Sequence, residues 1–382
     1  MSEKSNLLIV GKPYIKLYDD KTYIFCDYSL KGESKKLWMH VDSEYSSKVD
    51  FDSSDPFSLV FLIIAMKNGV DLHFEGVLTD TLYVNISKDI QSIYCIIEPS
   101  LAQIKVTSSN MQSAIEHKGI GVGTGFSCGI DSYASLVDNY YEMPVQSHKI
   151  THLFQINHNQ KLGVYDTKWQ RNMPRFLKGA EEVNLPLIQI GSNFYSHVSL
   201  PYSQIHPLLN CSVAMLLRNV VGIYYYASGY KFEDIAIRKS HSAAYSDSIL
   251  LPLLSTRSLF FYSTGSDKSR VEKTISISQF GIGRDSLDVC AKSPNKSLNC
   301  SLCYKCKRTM MTLDMLGELN SYGSCFDLSK WKRHRSNYIQ EVLENTTNKY
   351  MEEIKKLGED TGYFKRVEAA RRRRELRAQI NK

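Results

Sequence analysis

Two stretches of this chain carry residue types whose spacing suits chemistry. The first is Gly125-Phe-Ser-Cys-Gly-Ile-Asp-Ser132, which follows an apolar strand and opens a helix. Unpaired backbone N–H groups and the positive end of a helix dipole can hold a phosphate chain at such a place. Gly129 lets the backbone come close to the phosphates, and Cys128 and Ile130 enter through their backbone. Ser127 and Ser132 supply hydroxyl donors, and Asp131 is the group expected to orient a bound Mg2+ ion. The plainer alternative is a Ser/Gly turn with Ser132 as helix N-cap. A Walker A loop would set a lysine against the terminal phosphates, and this loop has none.

The second stretch is Cys290-x9-Cys300-x2-Cys303-x2-Cys306, four thiols within 17 residues. Four soft ligands at these spacings suit tetrahedral Zn2+, and a closed four-sulfur shell leaves no position for a catalytic water. Its expected role is structural, with Thr309–Leu319 as a helix held by the knuckle. Buried free cysteines or an iron–sulfur cluster are the alternatives.

The rest of the chain must position these two stretches. Of its 382 residues, 43% are hydrophobic and 23% charged, enough for a full core. The first ten residues lack the pattern of a secretory signal, and the longest apolar run, Phe57–Met66, is too short to cross a bilayer, for which about 20 residues are needed. The expectation is a cytoplasmic protein without a membrane span, in a reducing compartment where clustered cysteines favour metal over disulfides.

Residues 1–115 read as a small α+β domain, with strands near Leu7–Val10, Tyr23–Tyr28, Leu37–Val41, Leu72–Phe74, Leu82–Ile86 and Ile93–Ile97. One helix, Pro56–Lys67, has Asp55 as N-cap and Asn68-Gly69 as its stop. Residues 119–326 read as a doubly wound α/β core on a mostly parallel sheet. Its strands fall near Gly123–Ser127, His152–Asn157, Leu187–Ile190 and Gly222–Ala227, and its helices at Ser132–Glu142, Trp169–Glu182, Gln204–Asn219 and Arg270–Gln279. Residues 327–382 read as a polar helical extension. From Tyr363 onward eight basic residues stand against two acidic ones, so six of the seven net positive charges sit in this tail. The run Arg371–Arg374 is where RNA, DNA or an acidic partner would bind; a solvated helix end is the plainer alternative.

At Ser127, Gly129, Asp131 and Ser132 the chain resembles the PP-loop ATP pyrophosphatase superfamily, whose motif is Ser-Gly-Gly-x-Asp-Ser; Cys128 stands where the family has its first glycine. Loop and cysteines together resemble the 7-cyano-7-deazaguanine synthase family over about Gly121–Leu319. The resemblance implies attack at the α-phosphate of ATP, adenylation of a substrate carboxylate or carbonyl oxygen, release of pyrophosphate, then amide or nitrile formation. It also implies an adenine-nucleotide fold in which the base lies over the carboxyl ends of the strands, nearest Phe154, Ile156 and Asn157. The family's usual acidic, Pro- and Cys-containing substrate segment is not found. Ser240-His-Ser-Ala-Ala-Tyr-Ser-Asp247 stands there instead, so a different carboxylate-bearing acceptor is expected: a small molecule, a nucleobase, a peptide or a protein in a modification or defence pathway.

His206, His241 and Asp247 are further candidates because they lie in or beside loops after parallel strands. Arg270, Glu272 and Lys273 read as a solvated helix face, with Lys239 or Arg257 as alternative clamps on pyrophosphate. The competing function is a binding module in which a zinc knuckle and basic tail grip nucleic acid or protein while a degenerate loop holds nucleotide. Self-association as a homodimer stays open.

Overall fold

The computed structural model describes residues 6–113, 119–162, 167–291, 299–345 and 347–380. The chain forms two compact units. One takes in the chain up to Phe126 together with Asp138–Gln170 and Asn184–Asp267; the other comprises Ser127–Val137, Arg171–Val183 and the chain from Lys268 onward.

The first unit is α/β and holds a mixed, mostly parallel sheet of 11 strands: β1 (Leu7–Val10), β2 (Tyr14–Tyr18), β3 (Lys21–Leu30), β4 (Glu33–Asp42), β5 (Asp71–Thr79), β6 (Val106–Gln112), β7 (Gly121–Gly125), β8 (His152–Asn157), β9 (Leu187–Ser192), β10 (Val221–Ala227) and β11 (Phe260–Thr264). The order is β11-β10-β7-β8-β9-β4-β3-β1-β5-β6, with β2 on β3. The five strands β11-β10-β7-β8-β9 are all parallel. β9 then pairs antiparallel with β4 through Met39↔Ser192 and His40↔Gly191, so a single sheet runs through segments read from the sequence as separate.

The helix Asp55–Asn68 is buried at every position from Asp55 to Met66, as expected of a helix apolar on all sides. It packs on the helix Tyr202–Leu216, and Gly69 ends it in the left-handed region at φ 62°. Arg218 anchors its start, lying 2.8 Å from Asp55 and 2.9 Å from Asp50, all three buried.

Two expected strands are helices. Leu82–Ile86 lies in Asp80–Ser87, and Ile93–Ile97 in Asp89–Ile97. Leu82, Ile86, Ile90, Ile93, Tyr94 and Ile97 are buried at three- and four-residue intervals, a helical period that the β-branched composition masks. Strands β2, β6 and β11 were not expected.

The second unit is helical. Ile130–Leu136 packs on Arg270–Phe280, which packs on Tyr304–Leu316; Leu328–Glu344, Lys349–Asp360, Tyr363–Ile380 and most of Thr167–Glu182 also belong to it, with Lys349–Asp360 against Tyr304–Leu316. Asp314 ties this end together. It accepts from Trp331 Nε1 at 3.1 Å and from the Tyr363 hydroxyl, and it lies 3.3 Å from Arg335. Tyr363 is buried, so the start of the basic tail belongs to the core of this unit, contrary to the polar reading of that segment. Arg372 pairs with Glu368 on the exposed helix surface, while the side chains of Arg371 and Arg374 lie outside the described residues.

Candidate phosphate site and cysteine cluster

Ser127–Ser132 lies in the second unit. Cys128 adopts φ 56°, the left-handed region that a side chain makes costly by about 1–2 kcal/mol and that glycine enters freely. Cys128 thus holds a backbone conformation that glycine would adopt without this cost. Its carbonyl accepts from Asp288 N at 2.7 Å. The side chain turns into the interior, with the thiol donating to Arg175 O at 3.7 Å. Burial pushes this thiol well above its ordinary pKa despite the nearby Arg175, so it is neutral and a poor nucleophile.

Gly129 is the extended N-cap of the helix Ile130–Leu136. Ser127 is exposed at the mouth of the loop, its Oγ accepting from Gly129 N at 3.4 Å. Ser132 behaves differently from the expectation. Its buried hydroxyl donates to Gly129 O at 2.9 Å, an internal bond of the helix start, so it braces the loop rather than facing a ligand.

Asp131 is the centre of an ion cluster. Its Oδ2 meets Arg270 Nη1, and its Oδ1 lies 3.2 Å from Lys273 Nζ. Burial pulls this carboxyl upward, but Arg270 and Lys273 more than offset it and hold it below the usual range. Arg270 and Lys273 are therefore not a solvated helix face, and Lys273 is only 3% exposed. Glu272 closes a capping box instead: Ser269 Oγ accepts from Glu272 N at 3.2 Å, and Glu272 Oε2 accepts from Ser269 N at 2.6 Å. That Ser-x-x-Glu pattern was a readable signal for where the helix starts, and hence for which side Arg270 and Lys273 take.

These groups surround a cavity of about 310 Å3 lined by Ser127, Gly129, Ile130, Asp131, Arg270 and Asp288, and by Cys290, Lys305 and Arg308 on the side of the cysteines. Asp288 is already paired with Arg175 at 2.7 Å. With Asp131 also neutralised, Lys305 and Arg308 leave the cavity cationic, the polarity a phosphate chain requires. Sequence reasoning sets Lys305, Lys307 and Arg308 against the charge of the four thiolates, not on the wall of this cavity, where Lys305 and Arg308 lie.

Cys290, Cys300, Cys303 and Cys306 bring their sulfurs within 4.8 Å of one another and could hold a metal ion. The Cys300–Cys306 and Cys303–Cys306 separations are 3.8 and 3.4 Å. Tetrahedral zinc at about 2.3 Å from each sulfur sets an edge of about 3.8 Å, so the donor set fits. Backbone N–H groups of Cys300 and Cys303 point at Cys290 and Cys300 Sγ at 3.5 and 3.3 Å, as thiolate ligands require. Buried Asn299 pins the approach: it accepts from Val289 N and donates to the carbonyls of Leu287 and Cys325 at 2.9–3.0 Å. Sequence reasoning missed it. The helix Tyr304–Leu316 has Cys303 as its N-cap and starts earlier than the Thr309 expected.

The residues expected near a base lie in the first unit. Phe154, 1% exposed, packs its ring edge-on against Tyr224 at 5.4 Å and is a core residue, so its ring offers no surface to an adenine. Ile156 and Asn157, further toward the carboxyl end of β8, are partly exposed. Beyond that end His158 is held by Ser192 Oγ at 2.9 Å and Asn210 Oδ1 at 3.0 Å, and Asn210 donates to the Tyr226 hydroxyl at 3.2 Å. His206 Nδ1 meets the same hydroxyl. Asp247 is fully buried, neither oxygen hydrogen-bonded among the described residues, and burial raises its carboxyl well above the usual range. His241 and Lys239 are exposed. Arg257 lines a separate cavity of about 510 Å3 with Thr81, Pro252, Phe260 and Tyr262.

Among the described residues, no helix is long and apolar enough to cross a membrane. The chain matches no protein-family model, no curated protein and no solved structure.

Proposed function

We infer that this protein cleaves ATP to AMP and pyrophosphate while adenylating a carboxylate-bearing acceptor, as the resemblance to the PP-loop ATP pyrophosphatases implies. One observation carries the reading: the Ser127–Asp131 loop, with Cys128 in a glycine-like conformation, opens on a cavity whose other walls bring Arg270, Lys305 and Arg308. Charge that accumulates on a leaving pyrophosphate is stabilised by such fixed cations at little reorganisation cost. In the reaction an acceptor carboxylate oxygen attacks the α-phosphorus, the bond from that phosphorus to the bridging oxygen breaks, and the electron pair leaves with pyrophosphate. Ammonia or another nucleophile then displaces AMP to give an amide, or a nitrile after further activation and loss of water.

On this reading β11-β10-β7-β8-β9 forms the doubly wound nucleotide layer, and the four cysteines form a zinc knuckle with a structural role. Zinc would supply folding energy to the Cys290–Cys306 segment and none of the chemistry. A Mg2+ ion on Asp131 does not fit the present arrangement. Both oxygens of that carboxylate face cations, and Asp288 is engaged by Arg175 and by Cys290 N. No step is assigned to a protein-bound magnesium ion. Asp131 instead fixes Arg270 and Lys273.

The reading is tested by mass spectrometry of a reaction with ATP, ammonium and a panel of carboxylates, monitoring AMP and the adduct mass. AMP formed only with a carboxylate present supports it. Tight ATP binding without AMP under every condition would select the binding-module reading, which the occupied Asp131 favours.

A further inference from the structure

We propose that Arg308, positioned by Tyr350 of the C-terminal helices, grips the terminal phosphate of the bound polyphosphate chain, so that the C-terminal extension completes the site. This rests on the phosphate-site reading above. Lys305, Arg308 and Thr309 are spaced three and four residues apart on the helix Tyr304–Leu316 and line the cavity from one helix face. Lys305 is exposed, whereas Arg308 is only 7% exposed.

A guanidinium withdrawn from water needs an anion or a full set of acceptors, because an uncompensated buried charge costs several kcal/mol. The other cations of this unit's interior have theirs: Arg270 and Lys273 share Asp131, and Arg175 pairs with Asp288. Arg308 is different. Its Nε has no hydrogen-bond partner, and the carboxylate that acts on it electrostatically is Glu353, on the same helix as Tyr350. Arg308 stacks on the ring of Tyr350, with the guanidinium carbon 4.3 Å from the centroid.

A ring stacked on one face of a planar guanidinium fixes its plane and covers that face, leaving the in-plane N–H donors for a ligand. Phosphate oxygens match that fork, and a terminal phosphate or free pyrophosphate offers several on one centre. Tyr350 sits in the first turn of the helix Lys349–Asp360, which packs against Tyr304–Leu316. The extension beyond residue 327, which has no counterpart in the resembling synthase, thus orients the cation that reads the far end of the phosphate chain.

The test is calorimetric titration of the full chain with inorganic pyrophosphate and with ATP. Arg308→Gln should weaken pyrophosphate about 10- to 100-fold, the usual loss for a hydrogen bond to a charged group. Tyr350→Leu should weaken it about 3- to 10-fold, while Tyr350→Phe, which keeps the ring, should bind within about twofold of wild type. If Asp131→Asn weakens pyrophosphate but Arg308→Gln binds like wild type, this proposal falls and the phosphate site stands. If Arg308→Gln fails to fold, the Tyr350 pair decides, and equal affinities for the Phe and Leu variants overturn it. Wild-type protein that binds neither pyrophosphate nor ATP would remove the phosphate site itself.

Discussion

Lys273 and Asp131 are 142 positions apart in the chain, yet the Nζ of the buried lysine sits 3.2 Å from the Oδ1 of the partly exposed aspartate. The helix Ile130–Leu136 and the helix Arg270–Phe280 meet through this contact and through Arg270. The carboxylate at the mouth of the loop is therefore part of the scaffold as well as part of the candidate site.

Removing it should cost both function and stability. Asp131→Ala leaves Lys273 buried without its partner, and the expected destabilisation is about 2 kcal/mol, less than a fully buried pair because Asp131 and Arg270 are partly exposed. Since the Asp131 carboxyl is held below its unfolded value, the stabilisation is present above the unfolded pKa and lost as pH falls through the folded one. Denaturant melts of wild type and variant should therefore converge in acid. A variant as stable as wild type at neutral pH would show that the cluster is not a structural tie.

Cys128→Gly should be tolerated. Glycine removes the cost of a side chain at φ 56°, about 1–2 kcal/mol, and loses a buried Cβ and thiol of comparable worth. Net stability should move by less than about 1 kcal/mol, and AMP formation should persist. Loss of AMP formation in a folded Cys128→Gly protein would instead give the thiol a direct part in the reaction.

Protein purified without chelator should contain about one zinc per chain, and Cys300→Ser with Cys303→Ser should contain none. Two remaining sulfurs cannot hold the ion tightly, so the melting temperature and soluble yield should fall, while turnover per folded molecule at low temperature stays within a small factor of wild type. A folded but inactive double variant would assign the cysteines to the chemistry.

His158 should make the first unit acid-labile. Burial, opposed by the bond to Asn210, lowers its pKa to about 4 from an ordinary 6.5, so the folded state resists protonation. The stabilisation is complete above the unfolded pKa and declines as pH falls from about 6.5 toward 4, by up to about 3 kcal/mol. Melting temperatures across that window should drop for wild type and drop less steeply for His158→Gln, which can keep one bond of the two and leaves buried His206, also lowered to about 4, to titrate. Equal slopes for both proteins would place the acid sensitivity elsewhere.

Features written over a few adjacent residues were legible without the structure. Pro56 and Asn68-Gly69 bracket a helix because a fixed φ suits its first turn and a left-handed glycine its end, although Ser54 and not Asp55 is the N-cap, the Asp55 carboxylate being engaged by Arg218. Four cysteines at short spacings have few geometries open to them, and their sulfurs do converge. The Ser-Cys-Gly-Ile-Asp-Ser run marks a strand-to-helix turn from sequence alone, and the turn forms. What depended on distant partners was not legible. Composition made Leu82–Ile86 and Ile93–Ile97 look like strands, while burial against the rest of the first unit selected a helical period. Arg270 and Lys273 looked like surface charges until a partner far earlier in the chain arrived, and Arg308 acquired its setting from Tyr350 on a later helix. Side-chain roles of that kind follow from which elements pack together, and packing is decided by the summed burial of many apolar residues rather than by the few charged ones whose chemistry it then determines.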